Sequence, residues 1–352
     1  MGIEETIAGI GPPDQAAGRR AERRLDSLTK PPGSLGKLEE LACRLATITG
    51  ELDPPVERKV IPVFAADHGV VEEGVSAYPQ EVTAQMVGNF LAEGAAINSF
   101  SDYVNAEVVV VDVGVAEELH LEKVVDKKIA CGTNNIVRGP AMSREEALSS
   151  LRAGMETVEE LNEEQKVNLL GVGEMGIGNT TSSSAISSIL LGKEPRKVTG
   201  SGTGLDAQGL KRKMGVIEKA LAVNGPDPGD PIDVLRKVGG FEIGAIAGCL
   251  LQAASLGIPA ILDGFITAAA ALIAYRIRPG VVDYLLASHL SAEEGHRYVL
   301  EELGLEPLLD LELRLGEGTG AALAMNLVLA TAKVINDMNT FAEAGISPGP
   351  DE

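Results

Sequence analysis

Apolar residues in this chain fall into two kinds of run. Short, mostly apolar stretches occur at residues 59–66, 108–113, 167–171 and 258–262, the first, second and fourth rich in Val, Ile and Ala. Longer stretches, with apolar positions three and four apart, occupy 81–98, 143–164, 180–191, 205–224 and 240–255. The first kind predicts strands buried on both faces and the second predicts the helices that cover them. Their alternation predicts an α/β fold, a parallel Rossmann-like sheet with helices on both faces. Ahead of it, residues 16–50 read as an amphipathic helical hairpin broken at Lys30-Pro31-Pro32-Gly33. A last helical run, AALAMNLVLATAKVINDMNTF, follows a glycine-rich turn near the C-terminus. Residues 243–262 carry no charge, but Gln252, Gly257 and Pro259 interrupt them and Asp263 follows, so a buried helix leading into a buried strand is expected, not a membrane span.

Composition narrows the function. The 352 residues suffice for one large domain and a smaller appendage. Thirty basic residues against 51 acidic give a net charge of -21, which opposes nucleic acid and anionic membranes and favours a small-molecule enzyme. Cys43, Cys131 and Cys249 are odd in number and far apart, so the expectation is a reducing, cytoplasmic setting without disulfides. The first residues carry acids and no apolar segment, which disfavours a secretory signal. Aromatic residues are only 3% with no Trp, while glycines number 41, so closely approaching helices and a small-residue core are expected.

In a parallel sheet, ligands bind beyond the carboxyl ends of the strands. Asp67, Glu174 and Asp263 each fall just past such an end. Glu174 lies within GVGEMGIGNTT, residues 171–181, where glycines permit close backbone approach and Thr180 and Thr181 open a helix, a pattern suited to an anion. The run also satisfies GxGxxG, yet no second apolar strand follows its helix and no Walker lysine is present, so dinucleotide and P-loop readings are weak. A second glycine-hydroxyl loop, GSGTG at 200–204, opens a helix carrying Lys211, Arg212 and Lys213, one of which is placed to meet a phosphate if the cluster is not simply a solvated face. The four histidines lack metalloprotease spacing and read as strand-end caps and surface residues, and no metal is expected. Ser182, Ser183 and Ser184 lack a nucleophile elbow. Glu174 and Glu317, both in glycine-rich turns, suggest a base and an electrostatic stabiliser around a phosphorylated sugar.

KPPGSLGKLEELA, ADHGV, SAYPQEVTAQMV, GEMGIGNTT, GTGLD, LDGF and LGEGTGAAL occur in this order along nearly the whole chain. In these motifs the chain closely resembles the nicotinate-nucleotide:dimethylbenzimidazole phosphoribosyltransferase family. The resemblance implies transfer of phosphoribose from nicotinate mononucleotide to 5,6-dimethylbenzimidazole in cobalamin nucleotide-loop assembly, with no cofactor or metal. It implies a large Rossmann-like domain at 52–292 and a small helical domain made of 1–51 with 293–352. It further implies a homodimer with the partner subunit near the active site. By motif matching, Glu317 is the expected catalytic base. Gly176, Gly178, Asn179 and Thr180, with Gly202, Gly204 and Lys213, are expected to hold the nucleotide. Glu174, Asp263, Leu315 and Gly316 are expected to line the same pocket, and Tyr78, Pro79 and Gln85 to border the incoming base. An NAD-dependent oxidoreductase and a non-catalytic nucleotide sensor are the alternatives.

Overall fold

The computed structural model describes residues 2–347. Eight strands form one sheet: β1 (Lys59–Ala66), β2 (Ala106–Gly114), β3 (Val125–Asp126), β4 (Leu169–Gly171), β5 (Gly173–Met175), β6 (Ala260–Leu262), β7 (Leu285–His289) and β8 (Pro307–Leu309). Their order is β3-β2-β1-β4-β6-β7-β8, with β5 also on β1, and all pairings are parallel. The chain runs outward from β1 in one direction and then, from β4, in the other. The switch point lies between β1 and the β4–β5 pair, where a doubly wound sheet opens its ligand crevice.

Alternation along β1 explains why its sequence is continuously apolar. Val60, Phe64 and Ala66 enter the core on one face, and Ile61, Val63 and Ala65 enter a separate core on the other. Pro62, which has no N–H for a ladder, lies opposite the break between β4 and β5: β4 pairs with Lys59 and Val60, and β5 with Val63 to Ala65.

Arg144–Glu164 and Phe241–Ser255 pack on the first face in close contact. A Cβ at Gly154 would overlap the Ala245 carbonyl oxygen, and one at Gly248 would overlap the Leu151 carbonyl oxygen, so these helices meet backbone to backbone as the small-residue composition suggested. Phe241–Ser255 leads through a turn into buried β6, as expected for the uncharged stretch. On the second face lie Lys37–Thr49, Val82–Leu91, Ala96–Tyr103 and Thr319–Asp337. The last is long and apolar enough to cross a membrane by length and composition, but Ala321, Met325 and Val328 on it pack beneath the sheet.

Residues beyond 292 contribute to the sheet as well as to the terminal helices, since β8 pairs with β7. A third, small core of Ala21, Leu25, Leu28, Ala42, Ala46 and Ile335 joins the N-terminal hairpin to the end of Thr319–Asp337. There Arg24 donates to the carbonyls of Ile335 and Met338.

The expected helix at 81–98 is two helices. Val82–Leu91 stops at Ala92, Glu93 turns left-handed at φ +59°, and Ala96–Tyr103 starts afresh. The Glu93-Gly94 turn cannot continue a right-handed helix, and its consequence is a new helix N-terminus at Ala96 and Ile97, facing the crevice.

Candidate active site

The crevice at the switch point is a cavity of about 660 Å³ lined by Tyr78, Glu174, Asn179, Thr180, Gly202 and Glu317, among others. An adjoining hollow of about 690 Å³ shares Ser291, Glu293, Glu312 and Arg314 with it and adds Asp310 from the end of β8, but it is lined by neither glycine loop.

Glu317 sits in a turn that is unusual for a side-chain-bearing residue. Gly316, Glu317 and Gly318 all have left-handed backbones, with φ of +88°, +64° and +92°. Glycine adopts this freely and glutamate does not, so the surroundings must hold it. Asp263, just after β6, does so: its Oδ2 accepts from the Gly318 amide at 3.0 Å and its Oδ1 from the Gly320 amide at 2.7 Å. Gly173 leaves room for this turn, since a Cβ there would overlap the Glu317 carbonyl oxygen. Glu317 Oε2 accepts from the Ile97 amide at 3.4 Å, at the N-terminus created by the break at Glu93. Burial pushes the Glu317 carboxyl above the ordinary range and the Asp263 charge adds to this, against the Ile97 hydrogen bond.

Glu174, on β5, accepts from Asn179 Nδ2. Burial, and then the charge of Asp263, push its carboxyl up to about 8. Gly176 and Gly178 let the intervening loop pass tightly: a Cβ on Gly176 would stand 2.5 Å from the Ala66 carbonyl oxygen, and Gly178 has φ +97°. The Asn179–Leu191 helix then begins, with Asn179 and Thr180 on the cavity wall. Helices and loops, not a strand, follow this helix as far as β6, contrary to a dinucleotide-binding unit.

Of the basic cluster, Lys211 and Arg212 are exposed whereas Lys213 is 0% exposed. Its Nζ donates to Thr180 Oγ1 at 2.9 Å and to the Gly200 carbonyl at 3.4 Å. Burial pushes the Lys213 ammonium down to about 8, opposed by the charge of Glu293. A buried cation beside a helix N-terminus and two hydroxyl-bearing loops suits a dianionic ligand group.

The cavity thus gathers Tyr78, Glu174, Gly176, Asn179, Thr180, Gly202, Leu315, Gly316 and Glu317 from the expected set. Gly178, Lys213 and Asp263 stand behind the wall, with Lys213 and Asp263 acting on it through hydrogen bonds to wall residues or their neighbours, and Gly204 is exposed and off it. Pro79 and Gln85 are exposed and off the wall. Val82 and Met86, four apart on one helix face, form that side instead, because a helix that turns them inward turns Gln85 out.

Of the four histidines, His120 is exposed and His68 and His289 lie at strand ends, as expected, but the surface placement fails for three. His68, His289 and His296 are buried, not superficial. His68 Nε2 meets Glu242 Oε1 at 2.6 Å and its Nδ1 meets Ser182 Oγ at 3.1 Å, tying the end of β1 to two helices. His296 Nδ1 accepts from the Ser291 amide at 2.9 Å, and burial, then His289, push it down to about 3. His289 lies 3.7 Å from Asp263 Oδ1; burial works against its charge, but Asp263, with the Leu290 backbone and Asp310, together outweigh it and the imidazole is raised. Among the described residues, no group of three or more His, Cys, Asp or Glu side chains is arranged to hold a metal ion.

Sequence reasoning missed His289, Ser291 and Glu293 as wall residues because β7 was not foreseen. LLASH has no β-branched residue and ends in Ser-His, so its composition does not mark it as a strand.

A switch-point crevice with a buried cation, glycine loops and clustered carboxylates defines a nucleotide-handling α/β enzyme, and a family model described as Phosphoribosyltransferase matches residues 10–346. The nicotinate-nucleotide--dimethylbenzimidazole phosphoribosyltransferase of Desulforudis audaxviator is 55% identical over 98% of both chains, and the enzyme of that name from Geobacter metallireducens is 53% identical over 99% of both. The crystal structure of CobT from Thermus thermophilus is similar with a TM-score of 0.91 at 50% identity, covering 95% of this chain and 100% of that one. This chain belongs to the nicotinate-nucleotide:dimethylbenzimidazole phosphoribosyltransferase family.

Proposed function

We propose that the protein transfers the phosphoribosyl group of nicotinate mononucleotide to 5,6-dimethylbenzimidazole, giving α-ribazole 5′-phosphate and nicotinate. The observation that carries this reading is the buried Glu317 carboxylate, held in a strained turn on the cavity wall with its basicity raised. One ring nitrogen of the benzimidazole attacks the anomeric carbon. The bond to nicotinate breaks with its electron pair going to the pyridine nitrogen, and the hydrogen on the other benzimidazole nitrogen passes to Glu317. Attack opposite the departing ring converts the β-linked substrate to an α product in one displacement.

In this reading Lys213, Thr180 and the loops at Gly176 to Asn179 and Gly202 to Gly204 hold the phosphate. The ammonium of Lys213, lowered by burial, regains its proton preference when a dianion arrives. Glu174, raised to about 8, faces the sugar, and positive charge developing there favours its ionised form. Tyr78, Val82 and Met86 offer an apolar wall to the benzimidazole. Alignment of both rings across the sugar can supply roughly 7–11 kcal/mol in favourable cases. A homodimer and a small domain of 1–51 with 293–352, from which β8 departs by joining the main sheet, belong to the same proposal and rest on resemblance, and a cytoplasmic location rests on the three dispersed cysteines.

The test is incubation of the purified protein with both substrates, following nicotinate and α-ribazole 5′-phosphate. Both are expected in equal amounts. Failure to form either, with the protein folded, sinks the reading, and consumption of NAD instead would favour the oxidoreductase.

A further inference from the structure

The loop at residues 200–204 touches three sides of the cavity through its tethers. At one end the Gly200 carbonyl accepts from Lys213 Nζ at 3.4 Å. In the middle the Gly202 peptide is gripped on both edges: its N–H donates to Glu293 Oε1 at 2.8 Å and its carbonyl accepts from Arg314 Nη1 at 3.0 Å. Arg314 belongs to the segment that carries Glu317. Beyond it, Thr203 Oγ1 accepts from the Ala77 amide at 3.1 Å and pairs with Ser76 Oγ at 3.3 Å, and Ser76 Oγ accepts from the Tyr78 amide at 3.1 Å.

The loop has little conformational preference of its own to fix it. Gly202 and Gly204 have φ of +56° and +107°, so the tethers decide where it sits. A phosphate held by Lys213 and Thr180 favours the arrangement in which Lys213 also holds Gly200. That arrangement places Thr203 against the Ser76 to Tyr78 segment and Gly202 against Arg314. A ligand shifts an equilibrium only through contacts that differ between its states, so coupling through this loop requires these hydrogen bonds to be weaker when the phosphate corner is empty.

We propose that Thr203 and Arg314 are positioning residues that make the acceptor-base wall depend on occupation of the phosphate corner, so that the base binds tightly only after the phosphorylated sugar. The inference rests on the phosphoribosyl-transfer reading above. A static tether would instead weaken base binding equally with and without the sugar.

The test is a fluorescence titration of 5,6-dimethylbenzimidazole into the full-length protein, with and without saturating ribose 5-phosphate, which carries no leaving group. In the native protein the sugar phosphate is expected to tighten base binding by about 5-fold or more, within the usual range of coupled sites. In Thr203→Val the ratio falls to within about 2-fold while the protein still binds ribose 5-phosphate. Thr203→Ser, which keeps the hydroxyl, retains the ratio, and Arg314→Met loses it. An equal ratio in native protein and Thr203→Val, or no tightening in the native protein, overturns the proposal. Nicotinate release by the same preparation separates the two levels: its presence with an unchanged ratio overturns the coupling alone, and its absence overturns the functional reading and the coupling together.

Discussion

Asp263 Oδ2 accepts the Gly318 amide at 3.0 Å, although 55 residues separate them in the chain. With the second bond to Gly320, this makes Asp263 the cap of the Thr319–Asp337 helix, in place of an N-cap side chain of the helix's own. The left-handed Glu317 is locked from beneath by a residue at the end of another strand.

Asp263→Ala is therefore expected to lower both stability and turnover. Two buried amides lose their acceptor at about 1–3 kcal/mol each, and Glu317 is released from its strained turn. Thermal melting and steady-state rates would read the two effects. Asp263→Asn, which keeps one oxygen, should fall between, and a native-like melt for the alanine variant would refute the capping role.

Glu317→Gln should keep nucleotide binding, measured by calorimetry, and lower kcat by about 10² to 10⁴. The base acts in its ionised form, so kcat rises with pH as Glu317 loses its proton. Because the carboxyl is raised from 4.5, this limb lies above the ordinary carboxylate range. The glutamine variant should lack that limb; a variant profile that keeps it would assign the limb to another group.

Lys213 gives two effects of opposite sign. Its ammonium is lowered from 10.5 to about 8, so nucleotide affinity should fall as pH rises through about 8. In the ligand-free protein, the unfolded chain binds the proton between about 8 and 10.5 whereas the folded chain does not. Stability from this group therefore rises with pH across that window. Difference melting curves of native protein and Lys213→Met would isolate this increment, and identical pH dependence in the two would place the lysine in a solvated setting.

Gly248→Ala should destabilise strongly, by about 1–3 kcal/mol or more, because the methyl has only the Leu151 backbone to enter. Gly215→Ala, on the open side of Ala207–Asn224, meets nothing within 4 Å and should stabilise by about 0.4–1 kcal/mol. Denaturant unfolding of both variants checks the pair; equal effects would mean that the helices on the first face tolerate separation.

The strands at 59–66 and 108–113 and the helices at 143–164, 205–224 and 240–255 correspond to elements of the structure because long or unbroken apolar runs leave few alternatives. β3, β5, β7 and β8 escape such reading, being two to five residues each with no run of β-branched residues. The break at Glu93 escaped it because Gly94 inside a helical pattern is compatible with either outcome. Among site residues, motif glycines and acids announce themselves, whereas Val82 and Met86 look like any apolar helix positions until the helix is rotated against the sheet.

The sequence by itself determined the alternation of strand and helix and the places where glycine permits close approach. It also determined that Asp67 and Asp263 follow strand ends, although Glu174 proved to lie within β5, since these features depend on local patterning and backbone sterics. Only the tertiary structure decided that Lys213 is buried while its neighbours are not, that Asp263 supports Glu317 from behind, and that a new helix N-terminus meets the Glu317 carboxylate. Those outcomes come from desolvation and from hydrogen bonds between segments remote in the chain. Both are properties of the packed environment, which no single stretch of residues carries.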